Sequence, residues 1–193
     1  KLESVIGSMI SQKLLNPNHK QNFPEKNIGT ISYKECLRIN GNIFGLYTYS
    51  VIYRILLQQA LSGAGDIMSP EFVHTIRQFL INNVDKDLKS EALTFPYKFT
   101  FIFCPERTGD EFSNVHPNLV ESNPFLFFIG NFFVLVENND CTKSARIASF
   151  PIEILDSLLV NGDSNYTPKI VFITKEQGEE IYNYLLLLAN VLK

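Results

Sequence analysis

Residues of the kinds that mark a catalytic or metal site are few in this sequence of 193 amino acids, which has three cysteines and three histidines. Cys36, Cys104 and Cys141 lie far apart, with no Cys-x-x-Cys pair and no histidine at zinc-ligand spacing. An odd number of scattered cysteines favours buried thiols in a reducing compartment over a disulfide framework. The sequence therefore predicts no metal, no cofactor, and an intracellular location, cytoplasmic or nuclear.

Positive charge is also scarce. The formal net charge is −3 and the pI is about 5.6. A domain that binds a phosphate backbone usually carries clustered lysine and arginine, and the 17 basic residues here are scattered. Aromatic side chains on an open sheet could stack on bases, but the Phe-rich stretch 125–137 carries no lysine or arginine. We therefore expect no nucleic-acid partner.

No apolar run reaches the roughly 20 residues that a membrane-spanning helix needs. The longest, Pro124 to Val136, is shorter and is interrupted by Gly130 and Asn131. We therefore predict no membrane span. The chain begins with Lys-Leu-Glu rather than Met, which indicates part of a longer protein, so the lack of a signal peptide excludes nothing.

Apolar residues, in contrast, are abundant. They make up 45% of the chain, and charged residues make up 19%. This composition supplies a core and argues against global disorder. The length fits one globular domain over residues 1–193. Within it, the polar stretch 16–30 contains two prolines and is predicted to be a flexible loop.

Helical patterns dominate the first half. Leu2 to Leu15 has apolar residues at helical spacing, and Asn42 to Leu61 reads as one long helix. The preceding Asn40-Gly41 pair is typical either of a hairpin turn or, through Gly41, of the C-terminal cap of a preceding helix. A third helix follows Ser69 as N-cap. Its predicted core stripe is Phe72, Val73, Ile76, Phe79, Leu80 and Val84.

Strand patterns dominate the second half. Tyr97 to Cys104 and Lys169 to Thr174 are rich in strand-forming residues. Thr174 and Gln177 have capping-box spacing and open a closing helix, Lys175 to Leu192. This order predicts an α+β fold with a helical first half, a mostly antiparallel sheet and a C-terminal helix. The alternative is a three-layer α/β arrangement.

The segment from Phe125 to Glu137 is the most apolar of the chain. It is predicted to form a hairpin, Phe125–Ile129 with Phe132–Glu137, or one long strand with a bulge at Gly130. Apolar residues do not alternate with polar ones, so both faces must be covered. The cover is either the protein's own core or another chain, since apolar patches that stay exposed usually mark partner surfaces.

The loop from Cys104 to His116 holds the densest set of reactive side chains. Cys104 with His116 is a possible nucleophile and base, and Asp110 and Glu111 with His116 are possible metal ligands. No known nucleophile motif surrounds Cys104, and a thiol at the end of an apolar strand is ordinarily buried. Hydrolysis at this loop is therefore the alternative function.

The preferred function is a non-enzymatic protein–protein interaction domain, a subunit or adaptor of an intracellular complex. It rests on the missing catalytic constellation and on the excess of aromatic and leucine residues in two segments. The predicted partner is another protein chain. The residues predicted to bind it are Phe127, Phe128, Phe132, Phe133, Tyr182 and Leu186.

Overall fold

The computed structural model describes residues 13–14, 16–29, 31–61, 70–87, 91, 93–105, 125–129, 132–138 and 167–191. A short 3₁₀ helix spans Pro17–Asn22. The strands are β1 (Glu25–Ile28), β2 (Ile31–Glu35), β3 (Tyr97–Phe103), β4 (Phe125–Ile129), β5 (Phe132–Asn138) and β6 (Lys169–Phe172). The helices are α1 (Gly41–Leu61), α2 (Pro70–Asn83) and α3 (Lys175–Val191). The helix predicted over Leu2–Leu15 falls almost entirely outside the described residues.

The six strands form one sheet in the order β1-β2-β6-β3-β5-β4. Four neighbouring pairs are antiparallel, and only β3 and β6 run parallel. The predicted class, α+β with a mostly antiparallel sheet and a closing helix, is confirmed. The parallel pair joins the strands from the start of the chain to those from its second half, because β6 lies between β2 and β3.

β1, the first strand of the N-terminal hairpin, lies within residues 16–30, which the sequence predicts to be a loop. β1 pairs with β2 in a register that sets Ile28 opposite Ile31. Gly29 turns the chain with φ at 59°, a left-handed conformation that glycine adopts without strain. The sequence pattern missed β1 because Glu25, Lys26 and Asn27 are all exposed, so the strand carries no apolar alternation.

One face of the sheet packs against α1. The ring of Phe44 lies 4.8 Å from that of Phe101 and 6.1 Å from that of Phe99, centroid to centroid. β5 and β6 add apolar residues to the same cluster. The strand members of this cluster are Tyr97, Phe99, Phe101, Phe103, Phe132, Val134, Val136 and Ile170.

A buried tyrosine fixes α1 against the start of β3. The Tyr49 hydroxyl donates to the Tyr97 carbonyl oxygen at 3.1 Å and accepts from the Tyr97 amide at 2.8 Å. The same ring makes an edge-on contact with Phe95, at 5.2 Å between centroids, and a tilted contact with Phe79 of α2, at 5.1 Å. One side chain therefore ties both helices to the sheet.

The helix boundaries follow local chemistry. The Asn40 side chain accepts the Ile43 amide at 3.1 Å, so Asn40 caps α1 and the long helix is confirmed. α2 begins at Pro70 as predicted and ends at Asn83. Val84 was predicted to be part of the core stripe of α2 and is 71% exposed. That prediction is wrong because α2 ends at Asn83, one residue before Val84.

The opposite face of the sheet is also covered. Successive side chains of a strand point to opposite faces. The central residues of this second face are therefore those that alternate with the residues packed against α1. All are almost fully buried: Thr100, Ile102, Phe133, Leu135 and Val171. α3 begins beside the ends of β3 and β6, since Gly178 packs on the Cys104 side chain and Ile181 is fully buried. The middle of the sheet is thus enclosed on both sides.

Gly45 of α1 lies against the ring of Phe95, and a Cβ at Gly45 would overlap that ring. Replacing glycine by alanine inside a helix ordinarily stabilises a protein by about 0.5–1 kcal/mol. We predict the opposite sign for Gly45→Ala, a loss of about 1–3 kcal/mol, because the core is overpacked. Urea denaturation measures it.

The exposed Gln58→Ala on the same helix is the control and should change stability little. The double variant Gly45→Ala, Phe95→Leu should lose less than the sum of the two single losses, because the smaller side chain relieves the overlap. A stabilising Gly45→Ala would contradict the described packing.

Candidate functional site

The Phe-rich segment folds as the predicted hairpin. The structure gives Phe125–Ile129 and Phe132–Asn138 as the two strands, within one residue of the prediction. In the β4–β5 register Phe128 is opposite Phe133, and Ile129 is opposite Phe132. The alternative of one long bulged strand is excluded because the two segments pair with each other. β5 also pairs with β3 along its whole length.

The two strands of this hairpin have different positions in the sheet. β5 lies between β4 and β3, whereas β4 is the last strand in the order. An edge strand has backbone N–H and C=O groups on its outer side that no strand of the sheet pairs. Within the described residues, β4 therefore presents an apolar strand whose outer edge is unpaired.

The other edge of the sheet, β1, is built differently. Its Lys26 ammonium forms a 2.8 Å ion pair with the Glu35 carboxylate of β2, and its Glu25 accepts the Ser32 hydroxyl at 3.0 Å. Charged side chains on an edge strand oppose pairing with another chain. β4 has the sequence Phe-Leu-Phe-Phe-Ile and carries no charge. Only β4 has the composition of a pairing edge.

The predicted binding residues divide between core and edge. Phe132 and Phe133 of β5 are 9% and 0% exposed, so their side chains belong to the protein's own core. Phe127 and Phe128 lie in β4 opposite Val134 and Phe133, and the environment of their side chains lies outside the described part of the structure. The sequence predicts that the faces of this hairpin bind the partner, whereas in the described sheet β4 is an edge strand and β5 a central one.

The other two predicted binding residues, Tyr182 and Leu186, lie in α3. Tyr182 is partly buried, and the side chain of Leu186 lies outside the described part of the structure. Both residues follow β6 in the chain, and β5 and β3 separate β6 from β4 in the sheet. The start of α3, which packs on Cys104 at the end of β3, is therefore separated from β4 by β5.

The Cys104 loop starts at the carboxyl end of β3. Cys104 is fully buried, and its thiol donates to the Thr174 carbonyl oxygen at 3.6 Å. Its proposed partners, Asp110, Glu111 and His116, lie outside the described residues. Among the residues the structure describes, no group of three or more His, Cys, Asp or Glu side chains could hold a metal ion.

β3 and β6 are parallel, and their carboxyl ends meet at the start of α3, a position where α/β sheets often bind ligands. Here the chain's own side chains accept hydrogen bonds from backbone N–H groups at the start of α3. Thr174 and Gln177 form the predicted capping box, with reciprocal bonds of 3.0 and 3.3 Å. Bonds to its own backbone amide and to the Thr174 side chain lower the pKa of Glu176. The capping residues therefore already bond backbone donors at the start of α3 that a ligand would otherwise use.

Comparison of the chain with protein-family models, with curated proteins and with solved structures finds no significant match. The described helices, for their part, include none with the length and apolar character that crossing a membrane requires.

The two described cysteines should be chemically inert in the folded protein. Burial raises the pKa of Cys36 to about 12, so its thiol stays protonated at neutral pH. Thiolates, not thiols, react with disulfide reagents. In a Cys141→Ser variant, we predict that Cys36 and Cys104 react with such a reagent at pH 8 only after denaturant is added. One fast-reacting thiol in the native protein would contradict their burial. If that thiol is Cys104, the result would support the hydrolase hypothesis.

Phe133 provides a test of core against surface. Because it is fully buried, Phe133→Ala should destabilise the protein by about 3–5 kcal/mol, the cost of a large-to-small change in a core. Thermal or urea denaturation of the purified protein measures the loss. A variant that is as stable as the wild type would show that the Phe133 ring is not part of the core.

Proposed function

We propose that this chain is a non-enzymatic protein-interaction domain in which β4 receives an extended segment of another protein chain. The observation that carries the proposal is the contrast between the two edges of one sheet. β1 is charged and forms an ion pair with β2, whereas β4 is uncharged and wholly apolar. An added strand gains main-chain hydrogen bonds from such an edge and specificity from alternate side chains.

The energetics favour pairing at a strand that is already ordered. β4 pairs with β5 at five positions, and β5 pairs with β3 at seven. The side chains of Phe132 to Val136 in β5 are buried, so β4 is anchored to a packed strand. Binding then costs conformational entropy of the partner strand, but no further entropy is lost in ordering β4. Each new backbone hydrogen bond contributes about 0.5–1.5 kcal/mol.

Residue chemistry is the basis for placing the domain in an intracellular complex. Cys36 and Cys104 are buried thiols, and scattered buried thiols are typical of a reducing compartment. The chemistry also favours binding over hydrolysis. Cys104 is buried and its thiol donates to a backbone carbonyl, whereas a catalytic cysteine sits in an electropositive, partially exposed environment.

Affinity purification of the tagged protein from its native source tests the proposal when the bait is varied at the two edges. Phe127→Lys adds a charge at the middle of β4. Asn27→Lys adds the same charge to the exposed middle of β1 and is the matched control. We expect a stoichiometric partner on the wild type and on Asn27→Lys, and at least a tenfold loss on Phe127→Lys.

The purified partner should also slow amide hydrogen exchange at residues 125–129 when it is added back to the wild-type chain. Circular dichroism establishes that both variants are folded before capture is compared. A partner that stays bound to folded Phe127→Lys, or that leaves exchange at 125–129 unchanged, would contradict pairing at β4.

A further inference from the structure

We propose that the segment paired with β4 is the β4 strand of a second copy of the chain, which makes the protein a two-fold symmetric dimer. The inference rests on the proposed function of the β4 edge and names its occupant. Most soluble oligomers are symmetric assemblies of one chain, and the commonest is the two-fold dimer, in which the same patch contacts itself. The question is whether β4 can pair with itself.

The topology allows self-pairing without distortion. A two-fold axis perpendicular to the sheet sets two identical edge strands antiparallel and side by side. Antiparallel pairing is also how β4 meets β5 and how β5 meets β3. The dimer would therefore join two six-stranded sheets into one, with α1 of both copies on the same side. No part of the described fold has to move.

The sequence of β4 is compatible with every cross-strand contact that this symmetry creates. With the axis at Phe127, that residue is opposite its own copy, Phe125 is opposite Ile129, and Leu126 is opposite Phe128. Aromatic and aliphatic pairs across antiparallel strands are each worth roughly 0.2–1 kcal/mol relative to alanine pairs. β4 contains no charge that would meet its own copy and no proline that would remove a donor.

The edge at β1 lacks this self-complementarity. Two of its four residues are charged, and Lys26 and Glu25 already contact side chains of β2. An edge strand that carries charges or prolines can pair with a partner of different sequence and still repel an identical strand. β4 contains neither, so its own copy satisfies the pairing requirements at all five positions. No residue of β4 therefore repels its own copy, and the two-fold dimer is the commonest assembly open to such an edge.

Sedimentation equilibrium of the purified chain tests the dimer. We expect the mass to rise with concentration from 22.0 kDa to twice that value. Phe127→Lys and Phe127→Asp should each remain monomeric, because like charges would face each other across the axis. An equimolar mixture of the two should recover the doubled mass, since opposite charges then meet. Asn27→Lys should dimerise as the wild type does.

Hydrogen exchange of the wild-type chain provides a measurement that needs no variant. Exchange at those amides of residues 125–129 that do not donate to β5 should slow at least tenfold between a dilute sample, monomeric by sedimentation, and a concentrated one. Fast exchange with a 22.0 kDa mass at every concentration would overturn the second copy and leave β4 open to a different protein. Slow exchange already in the dilute monomer would mean that the chain covers its own edge, which would overturn the proposed function as well.

Discussion

The pairing of β3 on both sides is the constraint on which the rest of the structure depends. β3 lies between β5 and β6, so it connects the Phe-rich hairpin to the part of the sheet that contains β1 and β2. Its side chains alternate between two faces, and Phe99 and Phe101 turn toward Phe44 of α1. The intervening Thr100 and Ile102 are fully buried on the other side. A strand buried on both faces fixes the register of its neighbours, because a slip of one residue would exchange the faces.

That constraint also accounts for the two roles of the Phe-rich segment. β5 pairs with β3 at seven positions and takes its place in the core. β4 follows β5 in the sheet and has no further strand beyond it among the described residues. One hairpin of nearly uniform composition therefore supplies both a core strand and an edge. The proposed interaction and the proposed dimer both use the edge and leave the core strand unchanged.

Local signals in the sequence predicted the elements well. The hairpin of residues 125–138, the long helix after Asn40 and the capping box of Thr174 and Gln177 each depend on residues close together in the chain, and each is confirmed. The parallel pairing of β3 with β6 could not be predicted, because it joins residues about 70 positions apart and leaves no local pattern. β1 and β2 were not predicted, and the exposed, charged residues of β1 look like those of a loop.

The candidate site could be predicted only in part, for a related reason. Composition identified the Phe-rich hairpin as the segment that has to be covered. Composition could not distinguish the edge strand from the central one, since residues 125–129 and 132–136 are both wholly apolar. Pairing with β3 makes β5 the central strand. Phe127 and Phe133 looked equivalent in the sequence, yet Phe133 lies in the strand next to β3 and is fully buried. Cys104 follows an apolar strand, so its burial is expected from the sequence and is confirmed, whereas its bond to Thr174 follows from the meeting of β3 with the start of α3.

The central claim is that β4 is the outermost strand of the sheet and is open to another chain. A crystal structure of the purified protein tests it most directly. The account predicts that β5 pairs with β3 in the described register and that the outer side of β4 contacts solvent or a strand of a second molecule. A strand of the same chain hydrogen-bonded along the outer side of β4 would contradict the account.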